Sequence, residues 1–247
     1  MRTFLIILSL LSVSCKISDF QEQDAILDFR FYINEGWNAF ETINLDSTLI
    51  DSSDYYYNLS LQMFEVSILA INSEFATQNF LGPYYKSYIG IGWTQLYYAG
   101  TFLDPAEYYL RDSLREKSKF YFDSALVDLE NSLSDEVLIQ DWCNTYSGLS
   151  YINYYLGLND TSYFNNSLSF SDSLIIKKSN YEFYHDQLNY KNIHYLRGKI
   201  FLKKEKYNNA CIEITEAIHD TDLPCSCEID NIDMGLLLDC FDRFAND

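Results

Sequence analysis

Positive charge is scarce in this chain. Against 36 Asp and Glu stand 17 Lys and Arg, leaving a net charge of −19. Nucleic acid and anionic headgroups need a basic face, so the balance argues against them as partners. Proline and glycine are also few, three and nine in 247 residues, while 48% of residues are hydrophobic. That balance excludes a disordered or collagen-like chain and requires a well-buried fold. No run of apolar residues approaches the 20 or so that a membrane-spanning helix needs. Only three histidines occur, His185, His194 and His219, and none stands in a His-Glu-x-x-His pattern. There is no glycine-rich phosphate loop and no Gly-x-Ser-x-Gly elbow. With no constellation to which catalytic roles can be given, a non-enzymatic chain without cofactor or metal is expected.

What is present begins at the N-terminus. Met1-Arg2, the apolar run 4–11 and Ser12-Val13-Ser14-Cys15-Lys16 form a short secretory signal, with one positive charge, a greasy stretch and small residues before a cut site. With a cysteine at that cut site, the segment resembles a bacterial lipoprotein signal, although Ser12 stands where that pattern prefers Leu. The resemblance implies cleavage after residue 14 and lipid attachment at Cys15. It also implies a location in the bacterial cell envelope, anchored at the outer membrane on its periplasmic or surface face. Residues 1–14 are then the signal, 15–23 the lipidated cysteine with a short tether, and 24–247 the folded domain. At about 0.8 kcal/mol per buried CH₂, two or three acyl chains hold a soluble domain on a bilayer.

Cysteine and charge are both unevenly spread. Apart from Cys15 there are Cys143, Cys211, Cys225, Cys227 and Cys240, an odd number, so at least one is unpaired or bonds to another chain. Cys143, between Trp142 and Asn144 on a helix face, reads as a buried structural thiol. The last four lack the Cys-x-x-Cys knuckles of a zinc site. In an oxidising compartment a disulfide pinning the C-terminal segment is expected ahead of free thiols or zinc. Eight of the 17 basic residues fall in 177–206, and ten acids against one Arg fall in 213–247. The acidic tail folding back on the basic segment accounts for this, as do two solvated faces, and both are preferred to an anion-binding site.

Apolar residues recur every three or four positions along the chain, the spacing of amphipathic helices. Ile26, Phe29, Ile33, Trp37 and Phe40 make one stripe, and Tyr56, Leu59, Met63, Val66 and Ala70 the next. Gly82-Pro83 opens a helix carrying Tyr85, Ile89, Gly92 and Leu96, and Asp104-Pro105-Ala106-Glu107 caps another that runs to residue 129. Ser134 caps the stripe Leu138, Trp142, Thr145, Leu149, Ile152 and Leu156, which Phe164, Leu168, Ser171 and Leu174 follow. His185-Asp186 is expected to cap a helix over 188–202, paired with one over 207–218, and a last helix covers 230–244. No strand-like alternation competes, so the fold is all-α. Gly36, Gly92 and Gly148 are spaced 56 apart, each in the first helix of a pair, where a missing side chain admits the second helix.

Leu196-Arg197-Gly198, Phe201, Tyr207, Ala210, Ile214 and Ala217 resemble a tetratricopeptide repeat, with His194 where the motif has tryptophan. The resemblance implies a TPR-like α-solenoid of about four antiparallel helix pairs plus a C-terminal capping helix. Each pair then buries its apolar face only by stacking on the next. It further implies a concave groove lined by first helices. That groove, in a chain with 22 Tyr, 17 Phe and 3 Trp, nominates Trp37, Tyr88, Trp93, Tyr97, Tyr146 and Tyr190 as binding residues. The architecture resembles that of the lipoprotein subunit of outer-membrane β-barrel assembly machinery. The function expected is a membrane-anchored scaffold for envelope or membrane-associated proteins or peptides. The alternative is a glycan- or small-ligand-capturing lipoprotein working with a transporter.

Overall fold

The structure is a computed structural model and describes residues 28–45, 53–75, 83–132, 138–186, 188–218 and 233–246. The signal, Cys15, Ser134, His219, Cys225 and Cys227 lie outside the described residues. Among those described, nine helices and no strand occur. They are α1 Phe29–Leu45, α2 Ser53–Phe75, α3 Tyr84–Thr101, α4 Tyr108–Asn131, α5 Ile139–Gly157, α6 Tyr163–Lys177, α7 Tyr190–Lys203, α8 Tyr207–Ile218 and α9 Met234–Asn246. None is long and apolar enough to cross a membrane. A 3₁₀ turn, Pro105–Glu107, leads into α4 and is capped as its sequence predicts, the Ala106 amide donating to Asp104 Oδ1 at 2.9 Å.

Each helix packs most extensively on its neighbour in sequence, giving the pairs α1/α2, α3/α4, α5/α6 and α7/α8. First helices also touch one another, α1 with α3, α3 with α5 and α5 with α7. Paired cross-links fix the antiparallel sense. In α3/α4 the Tyr85 amide donates to Asp128 at 2.6 Å while Ser118 Oγ donates to the Gly92 carbonyl at 2.8 Å. The predicted stripes of α1 and α5 are buried, with Phe29, Ile33, Trp37 and Phe40 in the first and Leu149, Ile152 and Leu156 in the second. In α2 the expectation is corrected: the buried face is Tyr57, Ser60, Phe64, Ser67 and Ile71, while Tyr56, Leu59, Met63, Val66 and Ala70 are only partly buried, because hydrogen-bonded serines occupy part of the packed face.

Close approach of the pairs follows one pattern, a phenyl ring set on helix glycines. Phe64 of α2 is fully buried, and side chains added at Gly36 of α1 or Gly90 of α3 would meet its ring at 2.8 and 2.3 Å. Phe122 of α4 is equally buried and lies on Gly92 of α3 and Gly148 of α5, where an added Cβ would come within 2.9 and 2.2 Å. Gly36 and Gly92 thus admit the second helix of their own pair, as expected. Gly148 instead admits Phe122 from the preceding pair. Four residues before each ring a buried serine donates to a first-helix carbonyl, Ser60 to Gly36 at 3.0 Å and Ser118 to Gly92.

In the third pair the matching serine, Ser167, donates to the Ser150 carbonyl at 2.6 Å, and the ring position is taken by Ser171. Arg197 of α7 enters there, donating to Ser171 Oγ at 2.9 Å and to Asp172 of α6. Its Nε donates to Glu213 Oε1 of α8 at 2.8 Å, and Glu213 Oε2 lies 2.8 Å from His194 Nδ1. The basic and acidic segments therefore meet at a buried carboxylate. Beyond α8, Phe241 of α9 lies over Gly198. Cys211 and Cys240 are both in disulfides, whereas Cys143 is free and fully buried, its thiol pushed up in pKa by that burial.

Alanine at Gly148 is expected to destabilise the protein by about 1–3 kcal/mol, the usual cost of overpacking. At Gly100 an added Cβ meets nothing within 4 Å, so Gly100→Ala is expected to change stability by less than about 1 kcal/mol. Urea unfolding followed by circular dichroism checks both.

Candidate functional site

The first-helix face nominated from the sequence is occupied by the chain itself. Between α6 and α7 the segment from Tyr181 onward forms a hairpin, with the Phe183 amide bonded to the Leu188 carbonyl and the Tyr190 amide to the Tyr181 carbonyl, both at 2.8 Å. Alternate residues point inward. Tyr181 is fully buried and its hydroxyl donates to Asn144 Oδ1 at 3.1 Å. Phe183 stacks on Trp93 with centroids 4.7 Å apart and meets Trp37 edge-on at 5.8 Å. His185 lies flat on Trp37, 3.9 Å between centroids and 2° between planes, with Nδ1 2.6 Å from Glu41 Oε1. The expectation that His185-Asp186 caps a helix is therefore corrected. The cap of α7 is Asn189, which accepts from the Lys191 amide at 2.9 Å, and His185 ties the hairpin to α1.

The six nominated residues separate accordingly. Trp37 and Trp93 are 8% and 1% exposed beneath the hairpin. Tyr97 is half-buried against Phe40 and Trp93. Tyr146 sits between Trp142 and Phe170, and Tyr190 stands edge-on to His194 at 6.4 Å. Tyr88 belongs to a ladder of rings with Tyr84 and Tyr121 on the outer side of α3 and α4.

Two openings flank this core. One is a surface groove of about 530 Å³ between α3 and α4, lined by Tyr84, Tyr88, Phe120, Asp123, Ser124, Val127, Asp128 and Asn131. Phe120 and Val127 are 64% and 57% exposed, so the groove presents apolar surface beside two carboxylates. Asp128 is raised in pKa by burial, opposed by the amide bond from Tyr85.

The other opening is a more enclosed pocket of about 430 Å³ between α3, α4 and α5. Trp93, Leu96, Tyr97 and Gly100 line it from α3, Phe102 and Leu103 from the connection, Arg111 and Arg115 from α4, Tyr151 and Tyr155 from α5, and Leu188 from the hairpin. Arg115 lies 4.7 Å over the Tyr155 ring and Arg111 3.6 Å over Tyr108. Both share a single carboxylate oxygen of Asp112, at 3.4 Å from Arg111 and 3.5 Å from Arg115. Burial, and then repulsion from Arg111, lowers the pKa of Arg115. The spacing of Trp93 and Tyr97 made those two residues legible. The arginines carry no motif, and only the fold brings them opposite Tyr151 and Tyr155.

Among the described residues no group of three or more His, Cys, Asp or Glu is placed to hold a metal ion. No protein-family model, no curated protein and no solved structure matches this chain.

Burial pushes the Tyr57 and Tyr154 hydroxyls up to about 12 from the usual 10.0, with Asp186 of the hairpin adding to the effect at Tyr57. The fold favours their neutral forms. Their contribution to stability is thus complete below pH 10 and lost as pH climbs through about 12. Stability is expected to be flat with respect to these groups up to about pH 10 and to fall between there and 12. Urea midpoints paired with tyrosinate absorbance measure it.

Proposed function

We propose that this protein is a non-catalytic scaffold of the bacterial envelope. Its Cys15 carries a lipid anchor, and a TPR-like α-solenoid holds partner proteins or peptides near the membrane. The observation that carries the reading is the groove between α3 and α4, where Phe120 and Val127 are exposed beside the Tyr84–Tyr88 ladder. Exposed apolar surface rimmed by polar groups marks interaction sites, and tyrosine rings supply contact area at low cost in side-chain entropy. Asp123 and Asp128 at the groove, in a chain of net charge −19, favour a partner segment bearing apolar residues flanked by Lys or Arg. Stacking of the four pairs, each second helix on the first helix of the next pair, with the repeat-like residues of α7 and α8, supports the solenoid. The lipoprotein-like start of the chain supports the anchor.

Crosslinking in native membranes, followed by affinity purification and mass spectrometry, tests the proposal. Envelope proteins are expected to be recovered consistently with the native chain. Phe120→Asp is expected to reduce that recovery at least about tenfold, because a charge in an apolar contact typically costs more than 1.4 kcal/mol. Its helicity should stay unchanged, since the side chain is exposed. Recovery of nothing, together with retention on a polysaccharide column, would overturn the scaffold in favour of glycan capture. Cys15→Ala is expected to release the protein from membranes, and a variant that still partitions with them would remove the anchor from the account.

A further inference from the structure

The enclosed pocket is chemically unlike the surface groove, and its contents go beyond a scaffold. Its walls are aromatic: Trp93, Tyr97, Tyr151 and Tyr155. Its charge is positive in a chain that is otherwise strongly acidic. The Arg111 and Arg115 side chains are only 20% and 11% exposed, and Asp112, their shared carboxylate partner, is 42% exposed and contacts both at 3.4–3.5 Å. One half-exposed carboxylate at that range leaves about one positive charge uncompensated. A half-buried guanidinium in this state is costly unless a further anion joins it.

From this geometry we infer a binding site for a small organic acid, a single carboxylate on a flat apolar body of one or two rings. The guanidiniums of Arg111 and Arg115 receive the carboxylate as a bidentate, charge-assisted partner. The rings of Trp93, Tyr97, Tyr151 and Tyr155 take the apolar body by stacking and edge contacts. A volume of about 430 Å³ is that of a small-molecule site. A monoanion brings the two arginines and Asp112 to neutrality, whereas a dianionic phosphate would leave excess negative charge among aromatic rings. The site is separate from the groove between α3 and α4, so its existence does not depend on the scaffold role.

Titration calorimetry of the full chain with 2-naphthylacetate, 2-naphthylacetamide and 2-naphthyl phosphate tests the assignment. The acid is expected to bind, with the amide at least about tenfold weaker, as befits loss of a charge-assisted bond, and the phosphate weaker than the acid. Arg111→Gln and Arg115→Gln are each expected to reduce acid binding to the level of the amide. Gly100 lines the pocket with open space at its Cβ position. Gly100→Leu therefore fills the pocket without displacing the fold, and is expected to abolish binding while leaving the melting temperature unchanged. Equal binding of acid and amide would overturn the assignment. So would tighter binding of the phosphate, undiminished acid binding by Gly100→Leu, or no binding of the acid at about 1 mM.

Discussion

Phe122 is pressed between two helices that carry glycine where its ring lies, Gly92 on one side and Gly148 on the other. Phe64 is held in the same way by Gly36 and Gly90. Burying such a ring contributes about 1.5–3 kcal/mol, but the geometry matters more than the sum. Each ring reaches both its own pair's first helix and the next pair's, so one side chain sets the spacing within a pair and between pairs. Ser60 and Ser118, a turn earlier, fix the rotation of the second helix by donating to carbonyls at Gly36 and Gly92. With the first helices aligned in this way, their aromatic faces form a common floor, and the hairpin at Tyr181 to Leu188 covers it.

Where the wedge runs out, the chemistry changes. Ser171 cannot fill the position of a phenyl ring, and Arg197 bridges α6, α7 and α8 there through Asp172, Ser171 and Glu213. A buried ion pair specifies geometry more than it adds stability, because removing either partner strands a charge. The fourth pair is thus joined to the third by polar bonds beside an apolar contact of Tyr154 and Phe164 with Leu196 and Ile200. The first pair meets the second through the Phe64 ring together with buried hydroxyl bonds, Ser60 with Thr94 and Ser67 with Ser87. Cys211 and Cys240, both disulfide-bonded, lie beyond this in the apolar cluster of α8 and α9 with Ile214, Leu237 and Phe241.

The helices were legible because an amphipathic stripe repeats its evidence every turn. Ile33, Trp37 and Phe40, or Leu149, Ile152 and Leu156, identify a face without knowledge of any partner. The glycine period was legible as well, although spacing alone did not reveal that Gly148 serves the preceding pair, nor that Gly90 acts with Gly36. The hairpin was not. Tyr181, Phe183 and His185 do alternate inward, but five residues are too few for a strand pattern to stand out among helices. The contacts that fix it, His185 with Glu41 and Trp37, lie about 144–148 residues away in sequence. The pocket suffers from the same difficulty. Arg111 and Arg115 share a face of α4, and nothing local says that α5 will set tyrosines opposite them.

The ring-on-glycine contact couples one pair to the next, and a double-mutant cycle of Gly148→Ala and Phe122→Ala measures that coupling directly. Removing the ring opens the space the new methyl needs. The two substitutions are therefore predicted to be strongly non-additive in urea unfolding, with Gly148→Ala costing at least about 1 kcal/mol less in the absence of the Phe122 ring. Additive effects within about 0.3–0.5 kcal/mol would show that the two residues do not meet, and would contradict the wedge as the element that sets the stack.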